Sequence, residues 1–189
     1  CQVAAEPLAQ QVPNPVAMFA SDNNGVVIEL PASSAPAASS SGSLVFGIGT
    51  QANNAMSGAT VYTGDDFGNF TTRYKGQAYS SSFIDSGSNG YFFLDSSTTG
   101  IPDCGSASGF YCPGSTENLS ATNQGANGAS GTVNFSVGNA ETLFANPADF
   151  VFGTLGGPGQ DFDWGLPFFY GRNVFTAIEG KSTPGGNGP

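Results

Sequence analysis

Glycine and proline are spread along the whole chain and limit the amount of helix that it can form. The 189 residues include 28 glycines and 12 prolines. Both residue types destabilise the interior of a helix. Between them lie short apolar runs bounded by turn residues, a pattern typical of β-strands. We therefore predict an all-β protein with little helix, and one domain is the simplest organisation for a chain of this length.

Individual strands follow from these apolar runs. In TVNFSVG, residues 132–138, apolar and polar side chains alternate with the period of a strand. Two runs at residues 16–20 and 26–30 flank SDNNG and predict a hairpin that turns at Asn24 and Gly25. Residues 113–131 are rich in Gly, Ser, Asn and Thr and predict a long loop. Further strands are predicted at residues 43–50, 60–63, 70–74, 78–84, 91–94 and 150–153.

The charge balance excludes several classes of partner. The chain has 14 acidic residues and 4 basic ones, for a net charge of −10. Nucleic acid needs a basic patch, so we expect no nucleic-acid partner. We also expect no membrane span, since no apolar run approaches the roughly 20 residues that one requires. A charged fraction of only 10% is typical of secreted proteins and predicts a secreted, periplasmic or cell-surface location.

The chain has three cysteines, two of which are close enough in sequence to form a local disulfide. Cys104 and Cys112 enclose CGSASGFYC, where a local disulfide is expected and free thiols are the alternative. Cys1 is left over. It either pairs with a segment outside this chain or carries a lipid. The first interpretation is preferred, because the start of the chain shows no linker to an anchor.

The chain contains no histidine, which removes most catalytic chemistry. Ser-His-Asp and Cys-His systems and histidine-based zinc sites are excluded. No glycine-rich phosphate loop with its lysine is found, and we expect neither a cofactor nor a metal. Carboxylate chemistry remains. Asp161 and Asp163 in QDFDWG are either calcium ligands or residues of a solvated turn.

The tripeptide Asp85, Ser86 and Gly87 lies in SFIDSGSNG, where the apolar residues Phe83 and Ile84 run into a loop. In an aspartic protease such an aspartate faces a second one, and the two share a proton because neighbouring like charges cannot both ionise. One carboxylate then activates water while the protonated one polarises the substrate carbonyl. Small polar residues of this kind also form ordinary turns, so the tripeptide alone leaves both interpretations open.

The surroundings of this tripeptide resemble pepsin-like C-terminal lobes. SGSLVFGIGT resembles their GELVFGG-type strand, and SSSFIDSGSNGYFF resembles their D-[ST]-G loop. WGLPFFYGRNVFTAIEG resembles their closing element, in which a glycine, here Gly165, packs behind the active-site loop. The resemblance implies a single pepsin-like (acid protease) lobe, a retropepsin-like β-barrel or sandwich. It also implies that Asp85, Ser86 and Gly87 form the catalytic loop.

Taken together, FGIGTQANN, FIDSGSNGYFF, FYCPG and GLPFFYGRNVFTAIEG resemble an uncharacterised family of bacterial exported proteins that is aspartic-peptidase-like. By this resemblance, residues 1–30 are a lead-in segment with an interlobe strand, and residues 31–43 are a Ser/Ala/Pro-rich loop. Residues 44–180 are then the lobe, and residues 181–189 a flexible tail.

A two-lobed peptidase carries a second D-[ST]-G, and this chain has none: Asp22 is followed by two asparagines, and Asp65 by Asp66. We expect a missing N-terminal lobe or a second chain, as in a homodimer, to supply the other aspartate. A peptide or protein would then be the substrate. The alternative is a non-catalytic exported binding or structural module, and a two-carboxylate glycosidase is a third hypothesis.

Arg172 is a cation inside the apolar closing segment. A charge in apolar surroundings is costly unless it is paired. We therefore expect a carboxylate beside it, although the sequence does not indicate which one.

Overall fold

The structure is a computed structural model that describes residue 7 and residues 12–188. As the glycine and proline content predicts, this part of the chain is all-β with little helix. Its two α-helices are single turns, α1 (Ser96–Thr99) and α2 (Ala140–Leu143). Three 3-10 turns cover Pro15–Met18, Ala52–Asn54 and Leu166–Phe168. Of the helices in the described residues, none has the length and apolar character to traverse a bilayer.

Twelve strands are present in the described residues. They are β1 (Gly25–Glu29), β2 (Ser43–Phe46), β3 (Phe70–Tyr74), β4 (Gln77–Ile84), β5 (Tyr91–Phe93), β6 (Glu117–Gln124), β7 (Ser130–Val137), β8 (Gly156–Gly157), β9 (Phe162–Trp164), β10 (Asn173–Ala177), β11 (Ser182–Thr183) and β12 (Gly186–Asn187).

Seven of these strands form one large sheet in the order β7-β6-β3-β4-β9-β5-β8. The sheet is nearly closed, like a barrel, around a core of aromatic side chains. Phe93 stacks on Phe162 with ring centroids 5.1 Å apart, and Phe135 meets Trp164 edge-on at the same separation. Such pairs add to the stability that burial of the rings already provides. The core therefore depends on aromatic residues that come from five different strands, since Tyr74 of β3 belongs to the same cluster and Tyr79 of β4 packs against it.

The predicted loop at residues 113–131 is wrong, because β6 lies within it. All eight residues of β6 pair with β7 in antiparallel register. On β7, Val133, Phe135 and Val137 point into the core, as the alternating pattern predicts. On β6 the inward positions include Ala121 and Asn123, which are small or polar and give a weak hydrophobic signal. Pairing with a strongly patterned neighbour determines this strand.

The predicted hairpin at Asn24 and Gly25 is also wrong. Residues 16–20 start in a 3-10 turn, and β1 pairs instead with β2 and β10 in a separate three-stranded sheet. Asn24 is buried: its amide donates to the carbonyls of Ile48 and Ser182, and its Oδ1 accepts the Ile48 N–H at 2.8 Å. The asparagine thus joins three distant segments rather than making a turn.

Two further predicted strands are absent, and the C-terminal segment contains a short hairpin. Residues 60–63 contain no strand, and residues 150–153 contain only an isolated bridge between Val151 and Ala37. The segment 181–189 includes the hairpin of β11 and β12. Its expected flexibility and the expected boundaries at residues 30, 43 and 180 stay predictions.

The disulfide between Cys104 and Cys112 is confirmed. Tyr111, next to Cys112, is fully buried, and its hydroxyl donates to the carbonyl of Phe93 at 3.0 Å. The short disulfide loop is thereby fastened to the barrel core. Cys1 lies outside the described residues.

The order of three strands positions the candidate site. β9 lies between β4 and β5, parallel to β4 and antiparallel to β5. Asp163 on β9 is the register partner of Phe83 on β4, and Trp164 is the partner of Ile84. The loop that joins β4 to β5 must therefore cross the end of β9, which brings the D-S-G tripeptide next to the closing segment.

Candidate functional site: two carboxyl groups on one serine

Asp85 follows directly after the last residue of β4 and is half-buried. Its backbone N–H donates to the carbonyl of Trp164 at 3.2 Å, which extends the β4–β9 pairing by one residue. Its Oδ1 accepts the backbone N–H of Gly87 at 2.7 Å, and its Oδ2 lies 3.0 Å from Oγ of Ser88. Ser86 and Gly87 are exposed. The carboxyl group is thus held in one orientation at the rim of the sheet, beside solvent.

Ser86 and Gly87 have different parts in this loop. Gly87 contributes its backbone N–H to Asp85, and the same contact occurs in ordinary aspartate turns. The hydroxyl of Ser86 makes no hydrogen bond within residues 12–188. The turn expected from the tripeptide is present, and its chemistry depends on what lies opposite Asp85.

Asp163 is the second carboxyl group of the site. Its Oδ2 lies 2.6 Å from Oγ of Ser88, the same oxygen that contacts Asp85. Its Oδ1 is buried and has no hydrogen-bond partner among the described residues. Burial raises the pKa of Asp163 above its usual value; the Ser88 hydroxyl offsets part of this rise, and the negative charge of Asp85 adds to it.

Ser88 links the two carboxyl groups. A serine hydroxyl has one proton to donate. This proton faces two carboxyl oxygens, Asp163 Oδ2 at 2.6 Å and Asp85 Oδ2 at 3.0 Å. Of the two carboxyl groups, Asp163 is the one with the raised pKa and with a buried oxygen that has no partner among the described residues.

Gly165 lies directly against the loop that carries Asp85. A Cβ atom added at this position would collide with the carbonyl oxygen of Gly90 and would lie 2.7 Å from that of Ser88. The neighbouring Leu166 donates its backbone N–H to the Ser88 carbonyl at 2.7 Å. The closing segment therefore supports the loop from behind, and only glycine fits at the point of closest approach.

The sequence alone does not associate Asp163 with Asp85. It predicts either calcium ligands or turn residues at Asp161 and Asp163. One signal was present: Asp163 immediately precedes Trp164 and Gly165 in the closing segment, which the resemblance places behind the D-S-G loop. The pairing of two segments that lie far apart in the chain brings the carboxyl groups together.

In the described part of the chain, one group of three potential metal ligands lies close together: Cys104, Cys112 and Glu141. The two sulfur atoms are joined in the disulfide, and Glu141 accepts hydrogen bonds from the backbone and hydroxyl of Ser106. These contacts lower the pKa of Glu141. The group is therefore accounted for without an ion.

The expected carboxylate partner of Arg172 is not found among the described residues. Instead, its Nη1 donates to the carbonyl of Phe168 at 2.6 Å. The guanidinium lies 4.7 Å from the centroid of the Phe168 ring, a cation–π geometry. The sequence interpretation was wrong here because a carbonyl and an aromatic face replace the ion pair.

Comparison with known proteins identifies the family. The model of the family described as "Protein of unknown function (DUF3443)" matches residues 1–189, so the chain belongs to this family. No curated protein and no solved structure matches the chain.

Proposed function

We propose that this protein is an aspartic-peptidase-like hydrolase that acts in acid and uses Asp85 and Asp163 as a carboxyl pair linked by Ser88. The observation that supports this most strongly is the contact of one serine oxygen with both carboxyl groups, at 3.0 Å and 2.6 Å. Two acids in such different surroundings, one beside solvent and one with a raised pKa, are suited to separate base and acid roles.

The division of labour follows from the contacts. Asp85 is the base: it accepts the proton of a water molecule whose oxygen attacks the carbonyl carbon of a peptide bond. Asp85 then gives this proton to the leaving amine nitrogen as the C–N bond breaks, which restores its carboxylate for the next cycle. Asp163, whose burial raises its pKa, positions Asp85 through the hydroxyl of Ser88.

The relation to pepsin-like lobes is part of the proposal. It is supported by the D-S-G loop at the end of a strand and by Gly165 packed behind that loop. It is also supported by the position of β9, which pairs with both β4 and β5, the two strands that flank the loop. The disulfide supports the further proposal that the protein works in an oxidising compartment outside the cytoplasm.

The proposal differs in one respect from the expectation based on sequence. There, a second lobe or a second chain supplies the other aspartate. Asp163 supplies a carboxyl group within the same chain, so a monomer would suffice. The other arrangement remains distinguishable by experiment, because it requires Asp85 but not Asp163.

The test is hydrolysis of an unfolded protein substrate between pH 3 and 7, with and without a statine-type inhibitor. We expect activity in acid that the inhibitor blocks, and a loss of about 100-fold or more in Asp85→Asn and in Asp163→Asn. The matched control is Asp66→Asn, which removes an exposed acid away from the site. Light scattering on the same samples measures whether the active species is a monomer.

Three results would contradict or change the proposal. Persisting hydrolysis in Asp85→Asn would refute the proposal. Loss in Asp85→Asn with full activity in Asp163→Asn, in a dimeric sample, would place the second carboxylate on another chain. A wild-type protein inactive on all substrates at every pH would favour the non-catalytic module.

A further inference from the structure

A cavity of about 580 Å³ separates the three-stranded sheet from the barrel. It is distinct from the site above, since Asp85, Ser88 and Asp163 are not among the residues around it. Most of its wall is apolar. The side chains that define this character are Ile48, Met56, Val61, Phe70, Ile84 and Phe168. Its volume lies in the range of pockets that hold small organic ligands.

Arg172 provides the one positive charge on the wall of this cavity. One of its five N–H groups donates to the carbonyl of Phe168, and no carboxylate among residues 12–188 pairs with the guanidinium. The side chain is half-buried. A cation in partly apolar surroundings is costly, and the carbonyl and ring of Phe168 contact the guanidinium without neutralising its charge.

Asn123, on β6 of the barrel, provides a second donor on the lining of the cavity. Trp164 Nε1, which can only donate, contacts Thr72 Oγ1 at 3.1 Å, and Thr72 donates to Asn123 Oδ1 at 2.9 Å. This chain of donors fixes the orientation of the amide. The Nδ2 group of Asn123 has no acceptor among the described residues.

We propose that this cavity binds a small amphipathic monocarboxylate, with its apolar part along the apolar wall and its carboxylate at Arg172. A carboxylate accepts several hydrogen bonds and compensates the guanidinium charge. One cation suits a single negative charge, and the net charge of −10 disfavours ligands with more. The proposal does not depend on the hydrolase function.

The experiment uses decanoate and, as its uncharged counterpart, 1-decanol, at pH 7. The single tryptophan, Trp164, packs against the ring of Phe168 at a tilt of 52° with centroids 5.6 Å apart, so its fluorescence should change when a ligand contacts Phe168. Calorimetry gives the affinities independently. We expect decanoate to bind at least about tenfold more tightly than decanol, since the alcohol lacks the charge-assisted contacts.

Arg172→Gln tests the charge while retaining a group that can donate to the Phe168 carbonyl. We expect it to weaken decanoate binding by about tenfold and to leave decanol binding unchanged. The matched control is Arg73→Gln, on a strand exposed to solvent, where the guanidinium contacts Gln124. Thermal melts establish whether each variant is folded.

The proposal is overturned if decanoate neither alters Trp164 fluorescence nor releases heat at millimolar concentration. Equal affinity for decanoate and decanol in the wild-type protein overturns it too, because the cavity would then not recognise charge. This comparison of two ligands decides the matter even if Arg172→Gln does not fold. Unchanged decanoate affinity in a folded Arg172→Gln variant contradicts the assigned role of Arg172.

Discussion

The Oγ of Ser88 lies 2.6 Å from Oδ2 of Asp163, although 75 residues separate the two in the chain. Ser88 comes three residues after the D-S-G aspartate, and Asp163 lies on the strand that crosses behind that loop. The same Oγ also lies 3.0 Å from Oδ2 of Asp85, so one hydroxyl joins the two carboxyl groups. Three of the predictions below follow from this contact and from the loop that makes it.

Replacing Asp85 by Asn should lower the pKa of Asp163, because the charge of Asp85 contributes to its rise. Burial persists in the variant, so the pKa should stay above that of an exposed aspartate. Carboxyl ¹³C NMR over a pH titration measures this directly. Asp66→Asn, at an exposed turn, should leave the Asp163 titration in place. A rise in the Asp163 pKa in Asp85→Asn would contradict the assignment of the pair.

The stability of Asp163→Asn relative to that of the wild-type protein should increase as pH rises. The pKa of Asp163 is raised in the folded state, so the native protein binds a proton at this residue more tightly than the unfolded chain does. Its contribution to stability is fully present below the unfolded pKa of about 4 and is lost as pH rises through the folded value. Asparagine lacks this titration. The melting temperature of the variant relative to wild type should therefore be higher at pH 7 than at pH 4; a constant difference would count against it.

Gly165→Ala should destabilise the protein by about 1–3 kcal/mol, because the new methyl group would be forced into the backbone of the loop. The atoms in its way are carbonyl oxygens of Gly90 and Ser88, which cannot move without disturbing the site. Urea unfolding measures the change. Gly114→Ala is the matched control, since its Cβ would enter open space. Equal midpoints for the two variants would show that the loop is free to shift.

Removing the disulfide with Cys104→Ser and Cys112→Ser together should lower the free energy of unfolding by about 2–3 kcal/mol, as expected for a loop of this length. Guanidinium unfolding with and without reductant measures this. Reductant should destabilise the wild-type protein by the same amount and should leave the double variant unaffected. If the double variant matches the oxidised wild type, the cross-link contributes nothing to stability.

Several features of the fold and site could be predicted from local sequence. Glycine and proline destabilise helices wherever they occur, so the all-β class followed from their spacing. The disulfide followed from two cysteines in one short loop. The strand at residues 132–138 followed from strict alternation, because one of its faces packs on the core. Each of these signals lies within a few neighbouring residues.

Other features were missed because their signals are non-local. The strand β6 has polar and small residues on its inward face and is determined by pairing with β7. The Asn24–Gly25 pair predicts a turn, yet the amide of Asn24 is buried and donates to the carbonyls of Ile48 and Ser182. The apolar surroundings of Arg172 predict an ion pair, but the guanidinium contacts the carbonyl and the ring of Phe168 instead.

By itself, the sequence limited the candidates for a catalytic group. Without histidine, the carboxyl groups are the main candidates, and Asp85 lies where a strand meets a loop. Only the tertiary structure decided that Asp163 is its neighbour. The reason is physical: β9 pairs with β4 and β5 at once, and this long-range pairing places both carboxyl groups on one hydroxyl. Burial at that position raises the pKa of Asp163 above its usual value.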